Sequence, residues 1–158
     1  MKIIGNIKPP IFSVIKSHID DHLIIEEKNM RIGEVYTHGI SEEALTKSFR
    51  QLLNENDYKT RESSCYVSRS LASCRGSIGH HDDLGYGLVA LWLVRINGLS
   101  STRASSLPDR PEFFADNQWK VLKLGDVVVF NANNKHAWLA NETCHMLMQT
   151  VTKKRKRS

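Results

Sequence analysis

The chain has 158 residues, 41% of them hydrophobic and 25% charged, which fits one globular domain with a real core. No stretch approaches the roughly 20 apolar residues of a membrane-spanning helix. Three cysteines (Cys65, Cys74 and Cys144) at uninformative spacings exclude a disulfide framework and a Cys-x-x-Cys zinc site. The net charge of +5 is concentrated, because five of the 22 Lys and Arg form the run "KKRKR" at 153–157 and the remainder balances the 17 acidic residues.

The opening "MKIIGNIKPP" is too short and too soon broken by proline for a signal peptide, so a cytoplasmic protein with no membrane partner is expected. "FSVIKSHIDDHL" follows, with Phe12, Ile15, Ile19 and Leu23 at helical spacing. A second helix is expected after Ser41 as cap. Glu42 and Glu43 suit its positive N-terminal end, and Leu45, Phe49, Leu52 and Leu53 form one apolar stripe. "NEND" stops it.

Beyond residue 58 the pattern changes to strands. One is expected around Cys65 to Arg69, and "LVALWLVRI" at 88–96 reads as a strand buried on both faces. Residues 97–117 read as a long polar loop, the natural lid of a site. "WKVLKLGDVVVFNANNKHAWL" reads as strand, Gly-Asp turn, strand, polar turn and strand, and "CHMLMQTV" as a last strand. The expected fold is mainly β with N-terminal helices (α+β), its core a double-stranded β-helix or jelly roll. It forms a single domain over 1–152, helical to about residue 57, with a basic disordered tail at 153–158. That tail suits a nucleic acid, an acidic partner or, in a eukaryotic cell, a nuclear import receptor.

The chemistry-bearing stretch is "GHHDDLGYG", residues 79–87. Residues i and i+2 of a strand point the same way, so His81 and Asp83 suit one metal ion, and His136 after the "NANNK" turn supplies a third ligand. Two histidines and one carboxylate form the facial triad of non-haem iron(II), which leaves three positions open. His80 and Asp82 make an overlapping His-x-Asp that faces the other way, and the sequence leaves both registers open.

Residues 64–151 resemble the double-stranded β-helix core of the iron(II)- and 2-oxoglutarate-dependent oxygenases. The pieces that carry the resemblance are "IGHHDD", "LVALWLV" and "LKLGDVVVFNANNKHAW". "IGHHDD" is similar to the first metal motif of the branch that oxidatively demethylates nucleobases. The resemblance implies Fe(II) on His81, Asp83 and His136, with 2-oxoglutarate and O2 as co-reactants and a substrate that is hydroxylated or demethylated. A nucleic-acid component is one such substrate.

The sequence departs from the family where 2-oxoglutarate is held. The family's last strand carries an arginine, whereas this chain has none between His136 and Lys153, and His145 is the nearest basic group. Arg95 is the implied substitute, with Lys123 behind it and Tyr66 as a phenol donor. Two alternatives remain open. "GDVVVFNANNKHAWLA" also resembles the second cupin motif, which would mean a metal protein without 2-oxoglutarate, although the first cupin motif is missing. The other is a catalytically degenerate binding protein on the same scaffold.

Overall fold

The computed structural model describes residues 1–17, 35–39, 46–61, 69–81, 87–97 and 107–155, with 35–39 and 69–81 described by their backbone. Among these residues the strands are β1 (Lys2–Asn6), β2 (Val35–Gly39), β3 (Tyr58–Thr60), β4 (Arg69–His81), β5 (Leu88–Asn97), β6 (Glu112–Ala115), β7 (Gln118–Val121), β8 (Asp126–Asn131) and β9 (His136–Lys153). Two helices join them, α1 (Phe12–Ser17) and α2 (Lys47–Glu55). The main sheet runs β1-β8-β5-β9-β4-β2, every pair is antiparallel, and the β6–β7 hairpin branches from β9.

β5 explains the architecture. Its side chains alternate between two cores, with Val89, Leu91 and Leu93 in one and Ala90, Trp92 and Val94 in the other. That is why its sequence is apolar without interruption. The first core is the interior of the curled sheet, closed by Phe113 and Ala115 of the hairpin, Phe130 of β8 and Trp138 and Met146 of β9. The second lies under the helices, where Ile15, Phe49 and Leu53 cover Val127, Val129, Leu147 and Val151. The fold is therefore mainly β, a curled antiparallel jelly-roll-type sheet with helices on one outer face.

The stripe expected of the second helix is present, with Phe49 and Leu53 buried. The helix ends where "NEND" was expected to stop it. The Asn56 amide group and backbone N–H both donate to the carbonyl of Leu52, and Asp57 turns the chain with φ 64°. Ser41, Glu42, Glu43 and Leu45 lie outside the described residues, as do Ile19 and Leu23 of the first helix.

Several elements differ from the sequence expectation. The N-terminal part is not helical throughout, because it contributes β1, whose partner β8 lies far along the chain, and β2. The strand expected around Cys65 falls outside the described residues up to 68, and β4 begins at Arg69. The expected lid at 97–117 ends in a strand, since "EFFA" buries Phe113 and Ala115 on alternate positions. Asp116 and Asn117 both have positive φ and connect it to β7, as a two-residue type I′ hairpin requires. The two last strands are one, the 18-residue β9. Between Ala140 and Cys144 it bulges against β4, and Asn141 there donates to the carbonyl of Leu107 at 2.8 Å. The basic run starts inside the sheet, with Lys153 paired to Tyr58 as the last residue of β9.

Candidate functional site

The "NANNK" segment builds a turn that delivers His136. Asn131 accepts at its side-chain oxygen from the N–H of Asn133 at 3.0 Å, and its carbonyl accepts from the N–H of Asn134 at 3.1 Å. Asp116 at the hairpin tip braces the same turn. Its carboxylate accepts from the Asn134 amide at 3.2 Å, from the Asn131 N–H at 3.4 Å and from the Met1 ammonium at 2.7 Å. Burial pushes the Asp116 carboxyl up, but these donors outweigh it and hold the group below its ordinary value.

His136 is buried at the start of β9, with the Phe130 ring centroid 5.2 Å away and that of Phe113 at 6.4 Å. Its Nδ1 lies 2.9 Å from the carbonyl oxygen of Asn134. A carbonyl only accepts, so Nδ1 carries the proton and Nε2 has the lone pair in the neutral ring. This is the tautomer and bracing that a metal-ligating histidine needs, so His136 fits the metal that the sequence implies.

The ladder brings the other predicted histidine to it. His81 is the register partner of His136, and Ile78 is that of Trp138. Three residues of β4 thus span two of β9, a bulge with one extra residue. Without it His80 would stand opposite His136; with it His81 does. Opposed residues of an antiparallel ladder share a face, and the face of His136 and Trp138 is the interior one. The far end of "GHHDDLGYG" is tied to the same turn. Gly87, at φ 63°, accepts from the Ala132 N–H at 2.8 Å and donates to the Asn133 side-chain oxygen at 3.2 Å.

Asp83, Asp82 and Tyr66 lie outside the described residues, and His81 is described by its backbone. Among the described residues no three His, Cys, Asp or Glu side chains converge on a point.

Arg95 and His145, the candidates for 2-oxoglutarate, are also register partners. A bulge between Leu93 and Arg95 turns Arg95 away from the interior face that Leu91 and Leu93 share. The Arg95 guanidinium lies 4.6 Å from the Phe12 ring centroid, and the His145 ring lies 4.4 Å from it, on the helix side of the sheet. Lys123 is exposed in the turn before β8, whereas His136 follows that strand's far end. These three groups lie away from His136.

Sequence reasoning missed Asp116 and the Phe113 wall. The Asp-Asn pair between "EFFA" and "QWKV" was the available signal for that hairpin.

No family model and no curated protein matches the chain. Among solved structures it is similar to a cupin superfamily protein of Desulfitobacterium hafniense DCB-2, with TM-score 0.42 and 14% identity over 80% of this chain and 84% of that one. It is also similar to a predicted oxalate decarboxylase of Thermotoga maritima (0.42, 12%, 78% and 83%). A conserved protein of unknown function from Streptococcus pyogenes gives 0.40 and 17%, over 99% and 98%. Likeness at this level carries no activity and no residue role to this chain.

Proposed function

We propose that the protein is a non-haem Fe(II) oxygenase whose metal is held on the interior face by His81, Asp83 and His136. The observation that carries this reading is the register pairing of His81 with His136, joined to the Nδ1–H bond that leaves Nε2 of His136 as a ligand atom. Asp83 is two residues from His81, a chain reach of at most about 7 Å. When bound, the iron supplies activation of O2 for hydroxylation or oxidative demethylation of a C–H substrate, and 2-oxoglutarate is the co-reductant that the resemblance implies. The chain's own part is to orient the His136 ring through Asn134 and to exclude water with Phe113 and Phe130.

The candidates for 2-oxoglutarate that the structure describes lie away from His136. Arg95 and His145 face the helices, so a metal protein of cupin type that works without the cosubstrate stands as the second reading.

Anaerobic thermal shift with Fe(II) or Ni(II) tests the metal. Ligand at roughly 100 times its Kd adds about 2.7 kcal/mol, or about 5–11 °C for a chain of this size. The shift is expected in the parent protein and in His80→Ala, and is expected to vanish in His81→Ala and His136→Ala. No shift in the parent protein refutes the reading and leaves a degenerate binding protein. Adding 2-oxoglutarate to the Fe(II) form under nitrogen separates the two metal readings, because only an oxygenase that uses it gains a charge-transfer absorption.

A further inference from the structure

A second feature lies far from the interior face. α2 and β3 enclose a cleft of about 680 Å³, lined by Lys47, Arg50, Lys59, Gln51, Asn54 and Tyr58, with no acidic side chain in its lining. The start of the basic run adjoins it. Lys153 pairs with Tyr58, the backbone N–H of Lys154 donates to the carbonyl of Asp57 at 2.7 Å, and the Lys154 ammonium donates to the carbonyl and side-chain oxygens of Asn54. Arg155 follows, exposed. Lys153 and Lys154 are thus fastened to the strand and helix that form the cleft, and Arg155, Lys156 and Arg157 continue the charge in sequence. Glu55 and Asp57 are the acidic residues of this stretch, both exposed.

Three cations lining an open cleft, with three more in the adjoining chain at 153–155, attract a polyanion. The remainder of the lining narrows its kind. Tyr58 is half-buried, packed in part against the core under the helices, and borders the cleft with an aromatic residue, while Gln51 and Asn54 offer amides. Cations that track a backbone beside an aromatic on which a base stacks make a single-strand platform. We propose that this cleft, continued by the fastened start of the basic run, binds single-stranded nucleic acid through its phosphodiester backbone. The proposal stands apart from the metal reading, since none of its residues belongs to that site.

Fluorescence anisotropy of a labelled single-stranded oligothymidylate, across a series of salt concentrations, tests it. Six phosphate contacts give a slope of log K against log salt of about −4, at roughly 0.7 per contact. Lys47→Gln with Lys59→Gln removes two exposed cations and is expected to make the slope shallower by about 1.4, with unchanged melting. If that variant fails to fold, Lys47→Gln alone probes the same cleft, with a slope shallower by about 0.7. Absence of binding at low salt, or an unchanged slope in the folded variant, overturns the proposal. Polyglutamate of matched charge competing as well as unlabelled oligothymidylate also overturns it and points to an acidic protein partner.

Discussion

Gly125 of the Gly-Asp turn offers a sharp test of the packing, because two penalties meet there. Its φ is +90°, and a Cβ built on it would stand 2.6 Å from the carbonyl oxygen of Ile7 and 2.8 Å from the side-chain oxygen of Asn6. The backbone term for Gly125→Ala is about 1–2 kcal/mol, since L-residues avoid this region. Relieving the clash moves β1 off β8. That stretches the Ile7 N–H bond to the Gly125 carbonyl (2.9 Å) and the Asn6 amide bonds to Leu124 and Asp126 (2.9 Å each). Weakening these three bonds costs about 2 kcal/mol more. The sum, about 3–4 kcal/mol, lowers Tm by roughly 6–16 °C at this chain length. Gly87→Ala is the internal control. Its φ is +63°, and among the described residues the nearest atom to its Cβ is Arg61 Nη1 at 3.8 Å, so no clash with them adds to the backbone term. Scanning calorimetry of both variants reads the difference. Losses within about 0.5 kcal/mol of each other, below any clash or bond term, would refute the close approach of β1.

Further outcomes follow from the same structure. Trp92 is fully buried against Phe49, with its indole N–H on the carbonyl of Ile7 at 3.2 Å. Trp92→Ala should cost about 3–5 kcal/mol in denaturant unfolding, and Trp92→Phe about 1–2 kcal/mol for the lost donor. Asp116 has its carboxyl held below the ordinary 3.8 in the folded state. Its contribution is therefore present above that value and is lost as pH falls through the lower folded one. Urea midpoints of the parent and Asp116→Asn should converge as pH drops through this window, and a constant gap would exclude the role. Burial, with Glu142 nearby as a lesser cause, pushes the Cys144 thiol far up. Iodoacetamide followed by peptide mapping should find Cys144 unmodified in the native protein and modified in guanidinium chloride.

Local pattern made several parts of this fold readable. The continuous apolar run at 88–96 means a strand covered on both faces, and Leu91 and Trp92 do enter different cores. The Phe49 and Leu53 stripe means a helix with one buried face. His81 and His136 were legible as a pair because strand and turn signals surround both. The β6–β7 hairpin was less visible, since "EFFA" is four residues long and emerges from a polar stretch. The long-range partner of β1 left no mark in "KIIGN".

What the sequence by itself determined is which stretches carry the apolar side chains and which histidines are candidates for a metal, because composition and period are local properties of the chain. Which face each residue occupies was decided by tertiary structure. Alternation along β5 would set Arg95 beside Leu91 and Leu93, and alternation along β4 would set His80 across from His136. A bulge in each strand reverses that, putting Arg95 with His145 under the helices and His81 across from His136. The physical reason is that one unpaired residue in a two-residue period exchanges the faces of all that follow. Where that residue is inserted depends on a partner strand distant in sequence.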